Sequence, residues 1–149
     1  MVFSEQALYV GEYRHNLDAK GRLTIPSRWR FQGDEAEVYL ALPNVSGFIT
    51  VYPPARIRLL EEKLRETSLS NPQALQKTTA ILSMAHSFGC DRQGRINLVP
   101  KLVQHAGIQK QCVLLGAISC FHIYSPEVYD QLTPSSPTEM AEAFKEFDL

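Results

Sequence analysis

Asp18-Ala-Lys-Gly-Arg22, followed by Leu-Thr-Ile-Pro26, recurs 73 residues later as Asp91-Arg-Gln-Gly-Arg95, followed by Ile-Asn-Leu-Val-Pro100. Two apolar segments follow each copy, and each copy then ends in a Tyr-X-Pro sequence, at Tyr52 and at Tyr124. Two shared motifs in the same order, with a shared apolar pattern, indicate an internal repeat. We therefore expect the 149 residues to form two half-size units that share one core.

Each repeat is predicted to fold as a strand, a tight turn, a second strand, a short helix and a hairpin. In the turn, the side chain of Asp18 or Asp91 can accept hydrogen bonds from backbone N–H groups ahead of it. Gly21 or Gly94 supplies the positive φ that the chain reversal needs. The alternation of Leu23-Thr-Ile25 is typical of a half-buried strand. These two aspartates and two glycines are therefore predicted to shape the turns.

The predicted organisation has four parts: a first repeat at 12–54, linking helices at 55–82, a second repeat at 83–127 and a helical tail at 133–149. In the linker, Leu75, Leu82 and Ala85 form an apolar stripe that is predicted to pack and to connect. The tail begins with a capping-box pattern and carries Met140, Phe144 and Phe147 on one face. Docking of that face on its own body and on a neighbouring subunit both stay open.

Composition places the chain among globular proteins, with 44% apolar and 21% charged residues. The longest apolar run is too short for a bilayer span and the first residues carry no leader pattern, so we expect neither membrane insertion nor secretion. Cys90, Cys112 and Cys120 are an odd number without a CxxC pair, which argues against a disulfide framework or a zinc finger. A reducing cytoplasm is the expected compartment.

Charge is distributed unevenly along the chain, although the formal net charge is only −1. Residues 14–30 contain five cations and one carboxylate, and residues 87–110 contain four cations and one carboxylate, which leaves −8 for the remainder. The last 23 residues hold six acids and one lysine. Both basic windows enclose an Asp-X-X-Gly-Arg motif, so they can support a local basic face for a polyanion.

The duplicated motif, with Gly-Arg-Leu-Thr-Ile-Pro26 in the first copy and Gln104-His-Ala-Gly107 in the second, closely resembles the bacterial MraZ family over residues 11–129. The resemblance implies relatives of the AbrB and MazE group and a mainly β fold with helices, a double-split β-barrel of two pseudo-symmetric swapped-hairpin repeats. It also implies a ring-shaped homo-oligomer that regulates transcription. Such a protein would bind double-stranded DNA at tandem short repeats upstream of the division and cell-wall gene cluster.

The resemblance maps DNA binding onto the first turn, where guanidinium at Arg22 can bond guanine O6 and N7 or clamp a phosphate. Lys20 at the turn apex suits phosphate as a mobile point charge, and Asp18 is assigned to orienting the turn and Arg22. Roles away from DNA stay open for Arg14 and Arg28, and the second copy is ranked lower because Gln93 replaces the lysine. The candidate DNA-binding residues are Lys20, Arg22, Arg14, Arg28, Arg92 and Arg95.

Enzyme chemistry has no complete set of residues in this sequence. His86 and Cys90, or Cys120 and His122, could contribute to a metal site, but no third and fourth ligands are spaced to complete it. The ordinary explanation is small buried thiols and a histidine that continues the stripe of the second linking helix. No phosphate-cradling loop or dinucleotide fingerprint is present. We expect no catalytic residue, no metal, no cofactor and no small-molecule substrate.

The sequence therefore predicts a cytoplasmic, nucleoid-associated regulator that binds DNA and itself. The competing hypothesis is a non-enzymatic assembly module, or an antitoxin-like module that binds a protein partner. Salt dependence separates the two, because neutralising six phosphates gives a log-log slope of about −5, whereas apolar protein contacts respond little to salt.

Overall fold

A computed structural model describes residues 8–31 and 37–149, except for the side chains of 67–70. The first residues, for which no leader pattern was expected, lie largely outside the described part. Within it, the first repeat supplies β1 (Glu12–Asn16), β2 (Arg22–Thr24), a 3-10 helix (Ser27–Trp29), β3 (Val38–Pro43) and β4 (Ile49–Tyr52). The linker forms α1 (Pro54–Ser70) and α2 (Pro72–Ser83). The second repeat supplies β5 (His86–Gly89), β6 (Arg95–Asn97), α3 (Pro100–Ala106), β7 (Gln111–Gly116) and β8 (Phe121–Tyr124), followed by α4 (Pro126–Leu132) and α5 (Pro137–Glu146).

The two repeats exchange strands. A six-stranded antiparallel sheet has the order β1-β7-β8-β4-β3-β5, and β2 pairs with β6 in a separate two-stranded sheet. The first strand of each repeat therefore pairs with the hairpin of the other, because β1 lies beside β7 and β5 beside β3. This exchange confirms that the repeats share one structure and that neither buries its apolar residues alone.

The predicted content of strands and helices is confirmed, but the paired strands of the described residues do not form a closed barrel. In the described part of the chain β1 and β5 are the two outer strands of the larger sheet. The β2–β6 pair is a separate sheet, linked to the larger one through short turns. The observed fold is therefore α+β with an antiparallel sheet of six strands and a ribbon of two.

The main core fills the space between the ribbon and the six-stranded sheet. Leu23 and Ile96 of the ribbon are almost fully buried and face Trp29 and Phe121 in one continuous apolar cluster. Trp29 donates its ring N–H to the Val10 carbonyl oxygen at 3.2 Å, which satisfies its polar atom. The Trp29 ring therefore packs inward, away from the outer face of the ribbon. The core fixes the ribbon by its inner face and leaves its outer face free.

Helix α3 contributes Leu102 and Ala106 to the main core, whereas α1 and α4 lie on the opposite face of the larger sheet. Helix α4 packs on a small cluster of Phe48, Val113 and Tyr124, and α1 packs on α2 and β3. Helix α4 was not predicted from the sequence, although Ser125 is its N-cap and accepts a hydrogen bond from Val128 N–H at 3.2 Å. Helices α1 and α2 occupy the stretch for which linking helices were expected.

Two expectations about the linker are corrected. His86 was expected to continue the stripe of α2, but α2 ends at Ser83 and His86 lies in β5 opposite Ala41. The pairing of β5 with β3 draws this part of the chain into the sheet. Leu75 and Leu82 were expected to pack, yet their side chains are 53% and 47% exposed.

Candidate nucleic-acid interface

The β2–β6 ribbon separates its side chains by parity. Leu23 pairs with Ile96, and both point into the core. The alternate positions, Arg22 opposite Asn97 and Thr24 opposite Arg95, therefore share the outer face. Arg22 and Arg95 are diagonal neighbours on that face, a separation of about 7 to 8 Å between antiparallel strands. The ribbon presents two arginines and two short polar side chains together.

The first turn is held by the side chain that the sequence analysis assigned to it. Asp18 Oδ1 accepts the backbone N–H of Lys20 at 2.9 Å and of Arg22 at 2.8 Å. Asp18 Oδ2 accepts the Arg22 Nε–H at 2.6 Å. Gly21 has φ +78°, the left-handed region in which glycine carries no steric penalty. One carboxylate thus shapes the turn and aims the arginine.

The second turn repeats this arrangement. Asp91 Oδ1 accepts the backbone N–H of Gln93 and of Arg95, both at 2.9 Å, and Oδ2 accepts the Arg95 Nε–H at 2.8 Å. Gly94 has φ +78°. The turn-shaping roles predicted for both aspartates and both glycines agree with this geometry.

Both carboxylates are ionised near neutral pH. The backbone N–H of Arg22 is the largest cause that lowers the pKa of Asp18, followed by the Arg22 side chain and the Lys20 N–H; desolvation opposes them. The corresponding groups around Arg95 lower the pKa of Asp91. A carboxyl pKa that is lower in the folded state stabilises the fold fully above its unfolded value of about 4, and this contribution is lost as the pH falls through the folded value.

The hydrogen bonds from Nε to the aspartates leave the two Nη groups of each guanidinium available to an external acceptor. Each arginine uses Nε toward its aspartate, while its Nη groups make no hydrogen bond to the described residues. The side chains of Arg22 and Arg95 are 33% and 27% exposed. A guanidinium in this state keeps two forked donors for an external acceptor such as phosphate or a guanine edge.

The turns are joined to each other across the ribbon. The Ile25 N–H donates to the Gly94 carbonyl oxygen and the Leu98 N–H to the Gly21 carbonyl oxygen, each at 2.8 Å. With its amide nitrogen facing the first turn, Asn97 also donates to the carbonyl oxygens of Lys20 and Gly21, both at 3.3 Å. The two motifs therefore form one rigid unit.

Other predicted residues lie around this unit. Lys20 is exposed at the apex of the first turn, Arg92 is exposed in the second turn, and Arg28 is exposed on the 3-10 helix that follows β2. Arg30 lies against Gly94, and only the absence of a Cβ on that glycine leaves room for its side chain. With the two ribbon arginines, these four side chains make six cations around the two turn carboxylates. The local charge is therefore +4.

Arg14 is not brought to the ribbon. It lies on β1 opposite Val113, on the face of the larger sheet that α4 covers. Its guanidinium pairs with Glu12 at 3.0 Å and lies over the Tyr129 ring, 5.5 Å from the centroid. DNA contact by Arg14 stays a prediction that this placement does not support.

Two residues of the ribbon face were missing from the sequence candidates. Thr24 and Asn97 share the outer face with the arginines. Their signal was the apolar alternation itself, because every residue between two buried positions of a strand points outward. Arg30 was also absent from the candidates, and its position at the second turn could not be read from local sequence because the contact with Gly94 joins the two repeats.

The thiols and histidines are dispersed or buried in the described part of the chain. No group of three potential metal-ligating side chains occurs among those residues. Burial raises the pKa of the Cys112 thiol to about 11, which suppresses the reactive thiolate. The ring nitrogens of His122 and His105 are engaged with Tyr124 Oη at 3.0 Å and the Asn44 carbonyl oxygen at 2.6 Å.

No described helix has the length and apolar character that a bilayer crossing requires.

Comparison with known proteins agrees with the repeat. A family model described as "MraZ protein, putative antitoxin-like" matches the chain twice, at residues 8–79 and 81–147. The transcriptional regulator MraZ of Lactobacillus delbrueckii subsp. bulgaricus is 37% identical over 145 residues, which covers 95% of this chain and all of that protein. The proteins of the same name from Natranaerobius thermophilus and Ligilactobacillus salivarius are 35% and 33% identical over 146 residues, with the same coverage.

Proposed function

Because the chain belongs to the MraZ family, we propose that it is a sequence-specific DNA-binding transcriptional regulator whose β2–β6 ribbon contacts the DNA. The observation that carries the proposal is the outer face of that ribbon, where Arg22 and Arg95 stand side by side, each oriented by an aspartate. Family membership also supports the double-split barrel as the description of the fold, with one core between ribbon and sheet. The proposed residue division remains 12–54, 55–82, 83–127 and 133–149.

The dimensions of the ribbon suit the major groove of duplex DNA. That groove is about 12 Å wide and admits a two-stranded β-ribbon. Forked Nη donors of Arg22 and Arg95 can bond guanine O6 and N7, while Thr24 and Asn97 offer hydroxyl and amide groups to neighbouring base edges. Lys20 and Arg92, at the tips of the turns, are placed to contact phosphates on either side.

Several copies are needed for firm binding. A single face with a few phosphate contacts gives only the nonspecific affinity range of roughly 10⁻⁴ to 10⁻⁶ M. Copies held in a ring engage successive short repeats on one DNA, and each later contact is then intramolecular, which raises avidity by about 10² to 10⁴. We propose that this ring acts at the nucleoid on tandem repeats upstream of the division and cell-wall gene cluster.

The test compares two charge-matched double variants on duplex DNA from the region upstream of the native gene. Arg22→Ala/Arg95→Ala removes the two ribbon guanidinium groups and is expected to weaken binding on the order of 100-fold or more, at about 1 to 3 kcal/mol for each bidentate contact. Arg14→Ala/Lys145→Ala removes the same charge away from the ribbon and is expected to bind as the parent does. Fluorescence anisotropy at several salt concentrations measures both.

Three results would count against the proposal. Equal loss in both double variants would indicate a response to net charge alone. Unchanged binding by the ribbon variant would place the DNA on another surface. A parent protein that assembles but binds no upstream DNA would instead favour the non-enzymatic assembly or antitoxin-like module.

A further inference from the structure

An apolar groove lies on the helical hairpin, away from the ribbon. It has a volume of about 380 Å³ and runs between α1 and α2 above β3. Nearby apolar side chains are also open to solvent, with Leu59 at 49%, Leu75 at 53% and Ile81 at 47% exposure. It is lined by Leu40, Ile57, Leu60, Leu64, Thr78 and Leu82, together with Glu61 and Arg65, which form an ion pair with each other. Contiguous apolar surface of this kind marks an interaction site more often than a bare monomer surface.

The last helix carries the complementary feature. Met140 and Phe144 lie at i and i+4 on α5, and Phe147, its C-cap residue, follows at i+7, so the three side chains form one stripe. Their side chains are 42%, 51% and 73% exposed, and α5 makes no extensive contact with any other described helix or strand. A helix of ten residues with an exposed apolar stripe is marginally stable alone, and the described elements of its own subunit do not cover that stripe.

We propose that α5 of one subunit docks its apolar stripe into the α1–α2 groove of a second copy of this chain. The proposal deepens the multi-copy part of the proposed function by naming the surface that joins the copies. It follows the general mode in which an amphipathic helix places i, i+4 and i+7 anchors in an apolar groove. The occupant is another copy because each subunit exposes both the helix and the groove.

The charges around the two surfaces are of opposite sign. The hairpin 54–83 contains five cations and three carboxylates, a net charge of +2. Residues 137–149 contain four carboxylates and one lysine, a net charge of −3. Attraction between these sets steers the helix of one copy to the hairpin of the next and disfavours contact between two acidic tails.

The geometry of such a contact leads to a closed assembly. A helix on one subunit and a groove on the next are different surfaces, so the interface is heterologous, and heterologous interfaces close into rings when the rotation allows. Each copy then contacts one neighbour through its α5 helix and the other neighbour through its α1–α2 groove. The ribbon takes no part in the contact and stays available to DNA.

The test measures molar mass in the absence of DNA, so that its failure is distinct from a failure of DNA binding. Phe144→Asp places a charge in the stripe and is expected to reduce the assembly to the 16.8 kDa monomer. Thr138→Asp adds the same charge to the opposite side of α5 and is expected to leave the parent mass unchanged. Size-exclusion chromatography with light scattering reads both, and circular dichroism confirms that both are folded.

A mixing experiment tests the direction of the contact. Leu82→Asp is expected to disable the groove, at a side chain already 47% exposed, and to give monomers on its own. When the two variants are mixed, Leu82→Asp supplies an intact helix and Phe144→Asp supplies an intact groove. The mixture is therefore expected to stop at a heterodimer of ~34 kDa, twice the 16.8 kDa chain. A labelled peptide of residues 137–149 should bind Phe144→Asp protein but not Leu82→Asp protein.

Each alternative occupant has its own outcome. A monomeric parent, or a Phe144→Asp variant with the parent mass, overturns the proposal. If the parent is a monomer, and Phe144→Asp has the same mass but binds the peptide, then α5 of the parent covers the groove of its own subunit. If neither substitution changes the molar mass of the assembly, the subunits make contact through another surface.

Discussion

The two Asp-X-X-Gly-Arg turns have nearly identical hydrogen bonds but present different side chains to solvent. Five hydrogen bonds of the same type hold each turn, and corresponding lengths agree within 0.2 Å. Outside, the first turn presents Lys20 at its apex, whereas the second presents Gln93 beside Arg92. The aspartate, glycine and arginine of the motif thus determine the conformation, and the variable positions determine the charge offered to a ligand.

The neighbours of the two glycines differ as well. A Cβ on Gly21 would approach the Leu98 carbonyl oxygen at 3.0 Å, a backbone atom fixed by the ribbon. A Cβ on Gly94 would overlap the Arg30 side chain, at Nη1 and at Cδ and Cζ, which lie 2.8 Å away. The first turn is therefore confined by backbone and the second by a side chain.

The comparison is tested most strongly by removing one ribbon arginine at a time. Arg22→Ala is expected to reduce DNA affinity roughly 10- to 100-fold, which corresponds to the loss of one bidentate contact. Arg95→Ala is expected to reduce the affinity less, because its turn lacks the apex lysine that we propose contacts a nearby phosphate. Anisotropy with the same duplex gives the ratio of the two effects.

Lysine substitutions provide the control for that experiment. Arg22→Lys and Arg95→Lys keep the charge but remove the fork, so a partial recovery by lysine would assign the arginine to phosphate and no recovery would assign it to a base edge. Equal losses at both positions would mean that the two repeats contribute alike, contrary to the ranking from the apex residues.

The glycines offer the next largest effect, on stability. Gly21→Ala and Gly94→Ala both place a side chain at φ +78°, which costs about 1 kcal/mol or more in the free energy of unfolding. Gly21→Ala is expected to cost more, since the Leu98 carbonyl oxygen cannot withdraw without breaking its part of the ribbon. Urea unfolding monitored by circular dichroism measures both. A greater loss for Gly94→Ala would show that the Arg30 side chain is fixed and not mobile.

Local rules predicted the turns and the strands beside them. Asp18 and Gly21 have roles that depend on four or five consecutive residues, and the alternation around Leu23 depends on parity alone. Gly107 also ends α3 with φ 64°, the left-handed conformation in which glycine commonly ends a helix. Each of these features is decided within one stretch of chain.

Features that depend on contacts between the repeats could not be predicted in this way. The alternation in β1 places Tyr13 and Arg14 on opposite faces, but only the pairing of β1 with β7 decides which face the core covers. Arg14 was grouped with Arg22 for that reason, although α4 lies over it. The strand exchange likewise joins segments that are nearly 100 residues apart, for which local propensity carries no signal.

The smallest expected effect comes from exchanging the apex residues. Lys20→Gln makes the first turn resemble the second, and removing one phosphate contact per bound subunit is expected to reduce the salt slope of log K by about 1 for each. Gln93→Lys makes the converse change and should steepen the slope if the second turn reaches the backbone. Affinities between 50 and 200 mM salt, roughly the range over which such slopes are resolved, measure both. A slope that changes for Lys20→Gln alone would show that only the first repeat meets phosphate, whereas no change in either would remove the apex from the interface and leave the ribbon arginines as the contact.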